Sequence, residues 1–194
     1  RELDSVVTDP DAVLASNTSS IPIMKLGTCT ARPERVIGMH FFHPVPVLPL
    51  VELVSSLETG AAARDRAQAF AEQALGKQVV HSADRAGAVV NALLVPYLLS
   101  AIRMAESGFA TPEDIDKAMV LGCAHPMGPL TLADLVGLDT IKAIADSMYT
   151  EFAEPLYSPP PLLLRMVEAG RLGKKSGRGF YRYDAPRAMA RAAR

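Results

Sequence analysis

The chain has 194 residues, a formal net charge of −1 and 49% hydrophobic residues. This length is enough to bury a substantial core in one large or two small domains. The near-neutral charge argues against nucleic-acid binding, which calls for a basic surface. Two cysteines, Cys29 and Cys123, are far apart and match neither a disulfide framework nor a zinc motif. A reducing compartment, the cytoplasm, is therefore favoured over secretion.

Residues 1–83 predict an α/β unit, because short apolar runs alternate with turn signals. The predicted elements are a helix at 2–7, a strand at 12–15, a short helix at 21–24, a strand through His40 that ends near Phe42, a strand at 50–54, a helix at 60–75 and a strand at 78–81. Residues 82–87 then read as a linker.

A polar turn, Ser-Asn-Thr-Ser-Ser at 16–20, follows the first predicted strand and precedes a helix. In open α/β sheets such turns, at the carboxyl ends of strands, face ligands with their hydroxyl and amide groups. The alternative is that Ser19 or Ser20 only caps the helix, which is the common role of serine at such a place.

The stretch from His40 to Glu52 predicts a proton-transfer pair in apolar surroundings. Its prolines cannot donate to a sheet ladder, so the strand through His40 should end near Phe42. Only about six residues separate the two strands, whereas a parallel crossover needs roughly a dozen, so we expect an antiparallel pair with both side chains in reach. A carboxylate beside histidine fixes its tautomer and stabilises the imidazolium. The alternative is an ordinary strand pair with a buried histidine and a rim glutamate.

His40 and His43 do not predict a metal site. Their odd spacing places them on opposite faces of a strand, which disfavours chelation of one ion. We therefore expect no metal.

Residues 84–194 predict an all-helical domain. Helices are expected at 89–107, 113–121, 130–136, 140–152 and 162–169, with Thr111 and Pro112 starting the second of these. The uncharged run at 86–102 is shorter than the ~20 residues of a membrane span and favours a buried or interfacial helix. Its apolar surface suggests self-association. The Ala/Arg-rich end at 185–194 is expected to be frayed.

Several ordered motifs resemble the 3-hydroxyacyl-CoA dehydrogenase family. The similarity runs from about residue 14 to residue 183. The motifs are Ser16-Asn17-Thr18-Ser19-Ser20, Gly38-Met39-His40-Phe41-Phe42, Pro44-Val45-Pro46, Leu50-Val51-Glu52, Gly87 to Asn91, Leu94-Val95-Pro96-Tyr97, Glu113-Asp114-Ile115-Asp116, Pro126-Met127-Gly128-Pro129, Asp134 to Asp139 and Lys174 to Tyr181.

The resemblance implies the C-terminal part of a Rossmann-like dinucleotide-binding domain at 1–83 and a helical substrate-binding and dimerisation domain at 84–194. It implies oxidation of an L-3-hydroxyacyl-CoA, in fatty acid metabolism, with hydride transfer to NAD or NADP. His40 would be the general base and Glu52 its partner. Ser19 and Asn91 would hold the reacting substrate, and Asn17 would contact the nicotinamide end of the cofactor. A homodimer is expected through the helical domain.

The chain departs from the family pattern at two points. His43 stands where the family usually has an asparagine that supports substrate binding, so we expect altered substrate affinity or pH dependence. No Gly-x-Gly-x-x-Gly turn occurs, and the first 26 positions contain no glycine. Because residues before 12 resemble a late helix of the cofactor domain, we expect the phosphate-binding half to lie outside these residues, which alone would be inactive.

Two other functions stay open on the sequence. One is a dehydrogenase of a small free hydroxy acid on a related two-domain plan, and the other is a non-catalytic protein that acts through its helical domain. Acyl chain length cannot be read from the residues, and the preference for 3-hydroxybutyryl-CoA rests on the compact layout. The choice between NAD and NADP depends on a residue outside the matched motifs.

Overall fold

The computed structural model describes residues 1–19 and 21–183, so the prediction for 185–194 lies outside the described residues. Contacts divide the chain into two compact units after Ala92. The first unit holds helices α1 (Glu2–Val6), α2 (Ile23–Gly27) and α3 (Ala61–Ala69), a 3₁₀ turn (Pro33–Arg35), a π-helical turn (Phe70–Ala74), and strands β1 (Leu14–Ser16), β2 (Val36–Phe41), β3 (Leu50–Ser55) and β4 (Gln78–Ala83).

The four strands form one mixed sheet in the order β1-β2-β3-β4. β1 runs parallel to β2, β2 antiparallel to β3, and β3 parallel to β4. The predicted antiparallel pair is confirmed, and its register places His40 directly opposite Glu52. Directly opposed residues point to the same face of a sheet, so the two side chains meet without further adjustment.

Alternate residues of the strands fill two apolar layers, one on each face of the sheet. On one face Ile37 and Leu53, both fully buried, pack with Ala67 of α3. On the other face Ile23 of α2 packs with Val54. Each fully buried aliphatic side chain of this kind contributes ~1.5–3 kcal/mol relative to exposure.

The predicted linker at 82–87 begins too early. Ser82 and Ala83 belong to β4, because they continue the parallel ladder opposite Val54 and Ser55. The contact division also falls after Ala92 and not after residue 83. Residues 84–92 stay with the first unit through backbone hydrogen bonds, such as the one that the Asp84 amide donates to the Ser55 carbonyl over 3.1 Å. The assignment of separate functions to the two domains stays a prediction.

The second unit is helical. It consists of α4 (Val90–Glu106) from Leu93 onward, α5 (Pro112–Cys123), α6 (Pro129–Val136), α7 (Leu138–Phe152) and α8 (Pro161–Glu168), with 3₁₀ turns at Pro155–Tyr157 and Lys174–Ser176. Thr111 caps α5 as predicted, since its hydroxyl oxygen accepts from the Asp114 amide at 3.1 Å. No helix among the described residues is long and apolar enough to cross a membrane.

Two buried carboxylates organise the turns of the second unit. Asp116 accepts from the backbone amides of Leu130 and Thr131 and from the Tyr181 hydroxyl. Burial, followed by this hydrogen bond, raises the pKa of Tyr181. Asp134, which is 0% exposed, accepts from the amides at 180 and 181 and from the Tyr183 hydroxyl.

Glycines let backbone approach these carboxylates. A Cβ at Gly128 would lie 2.3 Å from the Asp116 side chain, and a Cβ at Gly179 would lie 1.9 Å from Asp134 Oδ1. The family motifs around 126–129 and 177–181 are therefore packed against the carboxylates of two other motifs.

We expect Gly179→Ala to lower the free energy of unfolding by about 3 kcal/mol, because the new methyl group would displace a buried, hydrogen-bonded carboxylate. Gly122→Ala is the matched control. Gly122 lies in the last turn of α5 with nothing within 4 Å of an added Cβ, so the helix preference of alanine should raise stability by up to ~1 kcal/mol. Urea denaturation measures both changes. Equal small effects of the two substitutions would contradict the packing argument.

Candidate active site

Ser19, His40 and Glu52 are carried by the first three strands of the first unit or by the turn that follows one of them. Ser19 lies in the turn after β1, His40 is the penultimate residue of β2, and Glu52 is the third residue of β3. β1 and β2 are parallel neighbours, so their carboxyl ends share one edge of the sheet. In open α/β sheets this edge is where ligands bind.

The three side chains form one hydrogen-bonded chain. His40 Nδ1 lies 2.9 Å from Glu52 Oε2, and His40 Nε2 lies 2.8 Å from Ser19 Oγ. A carboxylate only accepts hydrogen bonds, so Nδ1 carries the proton and donates to Glu52. In the neutral ring the lone pair of Nε2 then faces Ser19, whose hydroxyl donates to it. The arrangement leaves Nε2 ready to take up a proton.

Glu52 holds more than the histidine. It is 0% exposed, and its second oxygen, Oε1, accepts from the amides of Val89 and Val90 at 3.1 and 2.8 Å. Buried carboxylates are tolerated when they are hydrogen-bonded in this way. One side chain therefore orients His40 and secures the start of α4.

The ring of His40 is also fixed by packing. It is 6% exposed and meets the ring of Phe42 edge-on, with centroids 4.6 Å apart and planes at 65°. Edge-to-face geometry is favourable for aromatic pairs. A small cavity lined by Ser19, His40, Asp84 and Gly87 lies beside the ring.

The three other predicted site residues, Asn17, Asn91 and His43, are not members of this hydrogen-bonded chain in the described structure. Asn17, which is exposed, accepts from the Phe41 amide at 2.8 Å and so joins the turn after β1 to the end of β2. Asn91 is 8% exposed and directly follows Val90 in α4. His43 is exposed in the loop after β2. Within the described chain neither Asn91 nor His43 has a hydrogen bond to His40, and their roles stay predictions.

Sequence reasoning missed the backbone donors to Glu52 and the part played by Asp84. The carboxylate of Asp84 accepts from the amides of Ile23 and Met24, both at 2.7 Å. The available signal for the donors to Glu52 was a glycine before an apolar helix. Gly87 has a φ of 86° and lies in the turn that presents two successive amides to Glu52. Asp84 carried no local signal, because its partners lie some sixty positions earlier.

Histidine, cysteine and acidic side chains were also compared with the clusters that hold metal ions. The described residues contain no group of three or more His, Cys, Asp or Glu side chains that could hold an ion. Both cysteines are exposed and free.

Two family models match almost the whole described chain. Residues 1–85 match the NAD binding domain of 3-hydroxyacyl-CoA dehydrogenase, and residues 87–183 match its C-terminal domain. The chain belongs to the 3-hydroxyacyl-CoA dehydrogenase family. The expected fold, part of a Rossmann-like domain followed by a helical domain, is confirmed.

Similar proteins include a 3-hydroxybutyryl-CoA dehydrogenase from Mycobacterium tuberculosis, which is 73% identical over 94% of this chain and 64% of its own length. The human mitochondrial hydroxyacyl-coenzyme A dehydrogenase is 48% identical over 88% of this chain and 54% of its own length. The chain thus spans less than two thirds of the length of either relative.

Solved structures give the same similarity. The crystal structure of M. tuberculosis FadB2 is 73% identical, with a TM-score of 0.93 over 94% of this chain and 64% of that one. The (S)-3-hydroxybutyryl-CoA dehydrogenase PaaH1 from Ralstonia eutropha is 47% identical, with a TM-score of 0.90 over 95% of this chain and 64% of that one.

Proposed function

We propose that the whole protein is an NAD(P)-dependent L-3-hydroxyacyl-CoA dehydrogenase of fatty acid metabolism, with 3-hydroxybutyryl-CoA as its substrate. The observation that carries the proposal is the chain of hydrogen bonds from Ser19 through His40 to Glu52 at the carboxyl ends of β1 and β2. The 73% identity to a 3-hydroxybutyryl-CoA dehydrogenase supports the choice of substrate.

The geometry fits removal of a proton from an alcohol. The substrate hydroxyl replaces Ser19 as the donor to His40 Nε2, and Ser19 then donates to the substrate oxygen. As the C3 hydride leaves, the hydroxyl proton passes to Nε2 and the C3–O bond becomes a carbonyl. Glu52 stabilises the imidazolium that forms. Donors placed at the reacting oxygen contribute ~3 kcal/mol each to such a step.

The residues fit nicotinamide chemistry in part. NAD or NADP, when bound, accepts the hydride, and a base beside an alcohol at this sheet edge is what such transfer requires. Asn17 contacts the nicotinamide end in this proposal, and Asn91 helps to hold the acyl-CoA. The phosphate-binding glycine turn is not among the 194 residues, so none of them is assigned to the pyrophosphate.

The proposal also includes the cellular location and the oligomeric state of the enzyme. A cytoplasmic location is supported by the free state of Cys29 and Cys123. A homodimer through the helical domain is supported by large apolar side chains on its surface: Leu93, Phe109 and Leu121 are 74%, 79% and 72% exposed.

The activity is tested on the full-length protein with acetoacetyl-CoA, by following the absorbance of reduced cofactor. We expect turnover that falls by roughly 10²–10⁴-fold in His40→Gln, the range that a general base contributes. His81→Gln is the matched control, because His81 is exposed and its ring hydrogen-bonds to Gln68. Near-normal turnover in His40→Gln would contradict the mechanism, and turnover of free hydroxy acids alone would favour the rival dehydrogenase.

His43→Asn tests the departure from the family pattern. Because His43 is exposed and lies just beyond β2, we expect little change in stability, within about 0.5 kcal/mol. We expect instead a change in KM for acetoacetyl-CoA of roughly fivefold, the worth of one hydrogen bond, or a shifted pH profile of kcat/KM. Steady-state kinetics across pH measures both. If neither parameter moves, His43 has no role in substrate binding.

Sedimentation equilibrium tests the dimer. We expect a wild-type dimer that dissociates in Phe109→Glu/Leu121→Glu, because a charge buried at an interface without a partner costs several kcal/mol. Leu57→Glu is the control, since Leu57 is 94% exposed in the first unit. A monomeric wild type, or a dimer that survives the double substitution, would count against the proposed interface.

A further inference from the structure

Asp84 fastens the first turn of α2. Its two carboxylate oxygens each accept one amide, from Ile23 and from Met24, at 2.7 Å. These are charge-assisted hydrogen bonds, which are about twice as strong as neutral ones, and they satisfy amides that have no partner within the helix. α2 has only five residues, too few to be stable alone, so contacts from outside decide where it lies.

Asp84 is itself fixed to the sheet. It directly follows β4, and its amide donates to the Ser55 carbonyl at 3.1 Å. Ile23 gives α2 a further support, because it packs over Gly38 of β2: a Cβ at Gly38 would lie 3.0 Å from Ile23 Cδ1. The start of α2 is therefore held from both sides, by packing on β2 and by a carboxylate at the end of β4.

The turn that carries Ser19 ends at this fixed point. Thr18 Oγ1 accepts from the Ile21 amide at 2.9 Å, which tightens the turn. Ser19 is four positions before Ile23, and its hydroxyl lies 2.8 Å from His40 Nε2. Ser19, His40 and Asp84 also line the same cavity. A shift of the α2 start would therefore move the Ser19 hydroxyl relative to the imidazole.

We propose that Asp84 is a positioning residue, which holds the start of α2 so that the Ser19 hydroxyl lies on the proton-accepting nitrogen of His40. The catalytic importance of this role rests on the proposed function. In this proposal Asp84 contacts neither the substrate nor His40, and it acts only by positioning Ser19.

The test is a double-mutant cycle in the full-length enzyme with acetoacetyl-CoA. In Asp84→Asn one oxygen still accepts an amide, but the new NH₂ group faces the second amide donor. A misplacement of ~1 Å can cost up to ~10²-fold in rate, so we expect kcat to fall about tenfold with little change in KM. In a Ser19→Ala background the same substitution should change kcat less than about twofold, because coupled residues are non-additive.

Asp4→Asn is the matched control. Asp4 is another carboxylate of the first unit that accepts a backbone amide, from Ala31, together with the Arg32 side chain. The Ala31 amide, followed by Arg32, lowers the pKa of Asp4. Its substitution should lower stability as Asp84→Asn does but leave kcat within about twofold. An equal loss of kcat from Asp84→Asn in both backgrounds, or no loss in either, would overturn the proposal.

A readout without turnover separates this proposal from the proposed function. The ¹⁵N resonance of His40 Nε2 reports its hydrogen bond to Ser19. We expect Asp84→Asn to move this resonance toward its position in Ser19→Ala, and Asp4→Asn to leave it in place. If Asp84→Asn does not fold, Asp84→Glu, which keeps the charge and displaces it by one methylene, takes its place. A wild-type protein without turnover would refute the proposed function, whereas an unmoved resonance in the Asp84 variant would refute the positioning role.

Discussion

The first unit depends on one fully buried carboxylate, that of Glu52, which accepts three hydrogen bonds. One comes from His40 and two come from consecutive amides at the start of α4. An ionised group without these donors would be strongly destabilised in an apolar interior, so the sheet, the histidine and the turn at 87–90 are mutually required. The same bonds fix the tautomer of His40. The stability of the first unit and the proposed chemistry of His40 therefore depend on the same contacts.

The rest of the chain repeats this device. Asp84, Asp116 and Asp134 each accept backbone amides from a segment distant in sequence. Asp84 and Asp116 replace the intrahelical partners that the first amides of α2 and α6 lack, and their charge suits the positive end of the helix dipole. Asp134 instead holds the turn at 180–181. Glycines at 128 and 179 give the close approach that the carboxylates of the second unit need. Short helices and turns thus acquire defined positions that their own length could not provide.

Much of the site could be predicted from local chemistry. Prolines after His43 ended β2, and the short connection required an antiparallel return, so the meeting of His40 and Glu52 followed from the chain itself. The extra length of β4 was not predictable in the same way, because Ser82 and Ala83 continue the strand only through their ladder with β3. The backbone donors to Glu52 and the hydrogen bonds of Asp84 were not predicted either, because every residue except proline has a backbone amide and the sequence does not mark which ones a carboxylate will bind. Ser19 and Asn91 were predicted as site residues from the family resemblance. Of these two, Ser19 forms a hydrogen bond with His40 in the described residues.

The hydrogen bond between Ser19 and His40 also requires that the backbone around Ser19 be held in place. In the proposed reaction, the lone pair of Nε2 that faces Ser19 is the one that receives the substrate proton. Under that mechanism Ser19 has to release Nε2 and remain close enough to donate to the substrate oxygen, a change that a hydroxyl can make by rotating about χ1. Rotation about one bond brings the hydroxyl to the substrate oxygen only if the backbone of Ser19 stays in place. This condition is met here, because Glu52 and Phe42 fix His40 and the turn that carries Ser19 is held in place. In a looser turn the Ser19 hydroxyl could move away from both Nε2 and the substrate oxygen.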